Sequence, residues 1–126
     1  MADEPSISII IPTYNCGWCI GAALKSIFAQ TFSDFEVLVI DDGSSDDTHQ
    51  RVRAVADPRI KYVRQENAGR SAARNLGIAC ATGIWVAFLD ADDVWLPTKL
   101  EKQINAVKHA PDVVMVYSQA YAFSER

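Results

Sequence analysis

At 126 residues, with 49% hydrophobic and 22% charged residues, the chain is long enough for one domain with a real core and has the balance of an ordinary globular protein. Its formal net charge of −4 comes with no basic run or basic helix face, which argues against nucleic acid as a partner. The acidic start, Met1 to Glu4, leads into an apolar run too short for a signal peptide or a transmembrane segment, so a cytoplasmic location is expected, with peripheral attachment at the inner face of the membrane as its variant.

The first apolar stretch, Ile7 to Ile11, is β-branched and ends at Pro12, as a buried strand would. A helix follows, with Ile20, Leu24, Ile27 and Phe28 on one face. Phe35 to Ile40 reads as a second strand running into Asp41-Asp42-Gly43. Ser44 to Thr48 is rich in capping residues and early acids, and announces a helix to about Val55, which Asp57-Pro58 closes. Ile60 to Val63 is a short third strand. A polar loop then leads to an alanine-rich helix from Ser71 to Ala81. Ile84 to Leu89 is the fourth and most apolar strand, and it delivers Asp90-Ala91-Asp92-Asp93. Pro97 suits the first turn of a helix whose inner face is Leu100, Ile104 and Val107. Asp112 to Tyr117 is expected to be a fifth strand. No internal repeat or linker divides the chain, so residues 1–126 read as one unit.

The chain contains three cysteines, Cys16, Cys19 and Cys80, an odd count that does not suit a disulfide framework. Cys16-Gly17-Trp18-Cys19 has redox-motif spacing, but a zinc site needs a second Cys or His pair, and His49 and His109 are scattered. The two cysteines are expected to be reduced filler at a helix start.

Strands alternating with helices imply a mostly parallel sheet covered on both faces, with the C-terminal ends of the strands along one edge. Thr13, Tyr14 and Asn15, then Asp41 and Asp42, then Asp90, Asp92 and Asp93 should converge at that edge, where such sheets bind ligands. Several uncompensated carboxylates in one crevice repel each other unless a divalent cation or a hydrogen-bonding ligand sits among them. Hard oxygen ligands select Mg2+ or Mn2+ over zinc and leave positions open for substrate phosphates. Relief of like-charge repulsion also implies that Asp42→Asn or Asp92→Asn should reduce stability little and could raise it slightly without ligand. Neither a P-loop nor a G-x-G-x-x-G motif is present, so phosphates fall to the metal and to Arg70 or Arg74.

Four motifs in order carry a family resemblance. Ile9 to Asn15, Phe35 to Thr48, Asn67-Ala68-Gly69 with Ala73-Arg74-Asn75, and Phe88 to Asp93 resemble the family 2 glycosyltransferases of GT-A fold. Gln30-Thr31-Phe32 also suits that pattern, and the match runs from about Ser6 to Tyr117. The resemblance implies a GT-A, Rossmann-like sheet, incomplete at its C-terminal side, forming the nucleotide-diphospho-sugar-binding portion of the enzyme. It places Pro12, Thr13 and Tyr14 at the nucleobase, and Asp42, with Asp41 as a weaker partner, at the base edge. It places Asp90 near the ribose, Asp92 on a Mn2+ or Mg2+ ion at the diphosphate, and Arg74 at the donor. Asp93 is left as a helix-starting residue. The donor implied is a UDP-sugar first, the acceptor a saccharide or a lipid-linked molecule, the reaction inverting, and the setting polysaccharide or cell-envelope synthesis. The family is longer, and its catalytic base lies beyond the fifth strand; here only Glu125 is even a candidate.

A haloacid-dehalogenase-type phosphohydrolase also sets Asp-x-Asp after an apolar strand, but early in a much longer chain. Sugar-nucleotide pyrophosphorylases open with a glycine- and arginine-rich loop after their first strand, unlike Pro12 to Asn15. The remaining rival is a nucleotide-sugar-binding module without turnover.

Overall fold

In a computed structural model that describes residues 3–123, the elements follow in the order β1 (Ile7–Thr13), α1 (Ile20–Phe28), β2 (Phe35–Asp41), α2 (Thr48–Val55), β3 (Ile60–Arg64), α3 (Arg70–Cys80), β4 (Trp85–Phe88) and α4 (Lys99–Lys108). The strands form one parallel sheet in the order β3-β2-β1-β4. The register pairs Ile7 with Phe35 and Thr13 with Asp41, so β1 and β2 end side by side.

β1 and β2 are buried along their whole length because helices cover both faces of the sheet. Ile7, Ile9 and Ile11 meet Ile20, Leu24 and Ile27 of α1, Val52 of α2, and Leu100 and Ile104 of α4. Ile10, Leu38 and Ile40 point the other way, against Ala73 of α3. Gly77 brings α3 close to the sheet: a Cβ there would lie 2.5 Å from Cγ2 of Ile10. Gln30, buried before β2, accepts the Leu100 N–H at 3.1 Å and donates to the Leu96 carbonyl at 2.7 Å, which fixes the start of α4.

Pro12 lies inside β1, where a proline normally costs a ladder bond. The pairing with β4 stops at Ile10 and Phe88, followed by the bond from the Leu89 N–H to the Ile10 carbonyl. Pro12 faces the side that β4 has already left, while Thr13 still serves β2 by accepting the Asp42 N–H at 2.8 Å. The strand therefore runs on to Thr13 instead of ending at Ile11.

Two expectations need correction. Residues 112–117 form no strand, and Val114, Met115 and Tyr117 are exposed. An apolar β-branched run becomes a strand only with a partner for its backbone, and none of the four strands pairs with this one, although Val114 to Val116 line a cavity beside Trp85 and Leu100. β4 is also less buried than its composition suggests. Val86 and Phe88 are exposed while Trp85 and Ala87 pack inward, because β4 is an edge strand covered on one face. Among the described residues, no helix is long and apolar enough to cross a membrane.

At the edge where the strands begin, the buried Glu36 carboxylate joins four segments. It accepts from Ser8 Oγ at 2.6 Å, from the Thr82 N–H and hydroxyl at 2.8 and 2.9 Å, and from Lys61 Nζ at 2.6 Å. Burial pushes this carboxyl up, but Lys61, Ser8 and Thr82 together outweigh burial and hold it down at about 2. A depressed folded-state value stabilises the fold above the unfolded carboxylate range, and that stability disappears as pH falls from about 4.5 towards about 2. Glu36→Gln should lower the unfolding free energy at pH 7 by about 3 kcal/mol and flatten its dependence across that window, as read by urea unfolding at a series of pH values.

Candidate functional site

The edge where the strands end opens into a cleft of about 350 Å³. β1 and the loop after it supply Pro12, Thr13, Tyr14 and Cys16, the end of β2 supplies Asp42, and the turn after β4 supplies Asp90 and Asp92. The loop into α3 closes the remaining side with Asn67, Gly69 and Arg70. Gly69 holds φ +97°, a left-handed backbone that other residues resist, at the turn into α3.

The turn after β4 alternates. Leu89 and Ala91 are buried in the core, whereas Asp90 and Asp92 face the cleft. The Asp93 N–H bonds the Asp90 carbonyl at 3.0 Å and folds the third acid back beside the first. Asp90, Asp92 and Asp93 each offer an oxygen, and these oxygens lie within 4.8 Å of one another. Asp93 is thus part of the acidic cluster and not the start of a helix, since α4 begins at Lys99. Burial, and then the neighbouring Asp92 and Asp90 carboxylates, push the Asp93 carboxyl up. One basic side chain answers the cluster among the described residues: Arg74 Nη2 pairs with Asp90 Oδ1 at 3.1 Å. Three hard oxygen donors on one turn, one of them shared with an arginine, fit a magnesium- or manganese-sized cation that keeps positions open.

Asp42 is a different kind of acid. Its Oδ1 accepts from Gln65 Nε2 and the Ala68 N–H, both at 2.8 Å, and its Oδ2 from the Gly69 N–H at 3.0 Å and Asn67 Nδ2 at 3.2 Å. Burial raises its carboxyl, but these donors outweigh burial and hold it below the ordinary carboxylate range. Asp42 lines the cleft, as expected, yet its charge is spent on pinning the 65–69 loop. The bonding argues against the expectation that Asp42→Asn reduces stability little.

Asp41 does not reach the cleft. Fully buried, it accepts the Ser44 N–H at 2.8 Å and the Tyr62 hydroxyl and sits 3.5 Å from Arg64 Nη1, so it holds the turn after β2. Thr13 lines the cleft, but its hydroxyl is turned to the Ile11 carbonyl at 3.2 Å. Tyr14 is half-exposed and offers a flat aromatic face. Arg74 stands behind the cleft and acts on it through Asp90, whereas Arg70 lines it directly. Glu125 lies outside the described residues.

The sequence carried no role for Asn67 or Cys16 at this site, and it brought Asp93 to this edge only as a helix-starting residue. Asn67 follows β3 in the same Asn-Ala-Gly run that bears the resemblance, and Asp93 is simply the third acid of its turn. All three cysteines are free. Burial and the neighbouring Cys16 thiol push Cys19 up to about 12, helped by Asp92 and Asp46, so it lacks the low pKa of a redox-active thiol.

Known proteins resemble this chain in sequence and fold. The family described as Glycosyl transferase family 2 matches residues 8–126. The UDP-Glc:alpha-D-GlcNAc-diphosphoundecaprenol beta-1,3-glucosyltransferase WfgD of Escherichia coli is 44% identical over 104 residues, which cover 82% of this chain and 41% of that protein. The crystal structure of S. aureus TarS 1-349 in complex with UDP is similar at a TM-score of 0.79 and 32% identity, over 82% of this chain and 32% of that one. The mannosyltransferase PcManGT from Pyrobaculum calidifontis, in complex with GDP-Man and Mn2+, is similar at a TM-score of 0.71 and 34% identity, over 84% of this chain and 32% of that one. The chain thus spans less than half the length of each of these relatives.

Replacing Asp42 by asparagine exchanges one acceptor oxygen for an NH2 group that faces donors. Asp42→Asn should cost about 1–3 kcal/mol of stability and expose the Ala68 and Gly69 amides to faster hydrogen exchange. Unchanged stability with full protection at both amides would contradict the bonding described.

Proposed function

We propose, since this chain belongs to glycosyl transferase family 2, that its cleft binds the nucleoside diphosphate of a sugar donor, a UDP-sugar first, in an enzyme that transfers the sugar to a hydroxyl acceptor with inversion. The observation that carries this reading is the meeting, in one cleft, of an aromatic face at Tyr14 with Asp90 and Asp92, two of the three acids clustered with Asp93 on the turn after β4. The first suits a nucleobase and the second the metal-bound diphosphate joined to it. The UDP of the TarS complex and the GDP-Man and Mn2+ of the PcManGT complex are the same chemistry in similar folds.

In this reading Tyr14 and Pro12 flank the base, with the 65–69 loop held against it by Asp42. Asp90 is oriented by Arg74 and lies towards the ribose. Asp92 and Asp93 are the residues that would hold Mn2+ or Mg2+. Such an ion, when bound, supplies Lewis-acid stabilisation of the charge that grows on the departing diphosphate. Arg70, at the first turn of α3, adds a positive charge beside the same phosphates. The acceptor hydroxyl needs a carboxylate on the far face of the sugar to take its proton. The acids of the cleft do not suit that task, because Asp42 is occupied by the loop, Asp90 is paired with Arg74 on the ribose side, and Asp92 and Asp93 belong at the diphosphate. The acceptor is proposed to be a saccharide or a lipid-linked molecule, as in the WfgD reaction, with the enzyme working at the cytoplasmic side of the envelope.

Calorimetry with UDP, GDP, dTDP and CDP, with and without Mn2+, tests the reading. UDP should bind best, and Mn2+ should strengthen diphosphate but not nucleoside binding. Asp92→Asn should remove most of the manganese-dependent part, on the order of a few kcal/mol, and leave uridine affinity intact. Equal losses for UDP and uridine, with and without metal, would mean that Asp92 is not at the metal. Release of sugar from a bound donor separates turnover from binding alone.

A further inference from the structure

Asn15 sits between two residues that line the cleft, Tyr14 and Cys16, without lining it itself. Its backbone is left-handed, with φ +49°, a conformation that asparagine tolerates better than most residues. Its carboxamide oxygen accepts the Ser45 N–H at 2.8 Å, the Asp46 N–H at 3.3 Å and the Ser45 hydroxyl at 3.4 Å. Its own N–H donates to Ser44 Oγ at 2.9 Å. Because two backbone donors face the side chain, only the oxygen can point inward, so the orientation of the amide is fixed by its partners. The seam continues through the Cys16 N–H to Thr48 Oγ1 at 3.1 Å and the Gly17 N–H to Asp46 Oδ2 at 3.0 Å.

This seam ties the loop after β1 to the loop after β2, the same loop that starts at Asp42. The Tyr14 carbonyl accepts the Cys16 thiol at 3.2 Å, but the Tyr14 side chain has no comparable anchor. Its ring is half-exposed, and among the described residues no side chain hydrogen-bonds its hydroxyl. The direction in which the ring faces is therefore set by the backbone that Asn15 holds.

We infer that Asn15 is a positioning residue of the donor site, whose carboxamide clamp on residues 44–46 holds the Tyr14 ring where a nucleobase stacks. The inference rests on the proposed donor site. It differs from a merely structural role in one respect: the effect of Asn15 on ligand affinity passes through Tyr14 and is confined to the base.

Calorimetry on the full chain tests this with uridine, and with pyrophosphate plus Mn2+, against single and double variants. Asn15→Ala should weaken uridine roughly tenfold, the scale of a base–aromatic stack, and leave manganese–pyrophosphate binding unchanged. Asn15→Asp keeps both the acceptor oxygen and the tolerance for the left-handed backbone, and should bind uridine within about twofold of the unaltered chain. Asn15→Gly keeps the backbone without the clamp and should behave as Asn15→Ala; it also carries the test if the alanine variant does not fold. In a Tyr14→Ala background, Asn15→Ala should cost nothing further, the non-additivity expected of residues that act as one unit. Losses that multiply in the double variant would overturn the inference, as would wild-type uridine affinity in Asn15→Gly or Asn15→Ala. Tyr14→Ala binding uridine as well as the unaltered chain would instead sink the donor-site reading, and the inference with it.

Discussion

In a sheet whose four strands run the same way, every strand delivers the residues that follow it to the same edge, and this constraint places the whole candidate site. The polar segments after β1, β2 and β4 are far apart in sequence, and the β1–β2 register brings Thr13 and Asp41 side by side. The isoleucine-rich interior of β1 makes this possible because helices cover both of its faces. Ile9 and Ile11 serve one layer and Ile10 the other, so a shift of one residue would exchange the two cores and carry Tyr14 away from Asp42.

The acids at that edge divide into two groups by the company they keep. Asp41 and Asp42 are buried and surrounded by donors, and their charges are consumed in holding the turn after β2 and the loop before α3. Asp90, Asp92 and Asp93 are more exposed, crowd one another, and share a single arginine among the described residues. A carboxylate with four donors has little capacity left for a ligand, whereas three with one partner among them have much. The division separates the scaffold of the cleft from the part suited to a cation and a diphosphate.

Much of this was legible in the sequence. Period-two and period-3.6 patterns report burial, and the strands and helices from Ile7 to Lys108 followed them to within a residue or two. The exceptions have physical causes. Residues 112–117 have the composition of a strand but no strand partner, and composition does not record a partner. Pro12 was read as the end of β1, although a proline is tolerated where a neighbouring strand has already left. The sequence could suggest that Asp41 and Asp42 both face a ligand; only the fold shows that donors from three other segments had claimed them. Glu36 gave no signal at all, because its partners Ser8, Lys61 and Thr82 meet it only when the strands align. Asn15 belonged to a quoted motif without a role, since its purpose lies in bonds to residues some thirty positions away.

The central claim is that one cleft holds the base at Tyr14 and the metal-bound diphosphate at the acids after β4. Amide-resolved NMR with UDP and substoichiometric Mn2+ tests it most directly, because the paramagnetic ion broadens signals by distance. Uridine alone should shift the amides around Tyr14 and residues 65–69, and UDP with Mn2+ should then broaden residues 90–93 first. Shifts and broadening elsewhere on the surface, or broadening centred away from residues 90–93, would contradict the account.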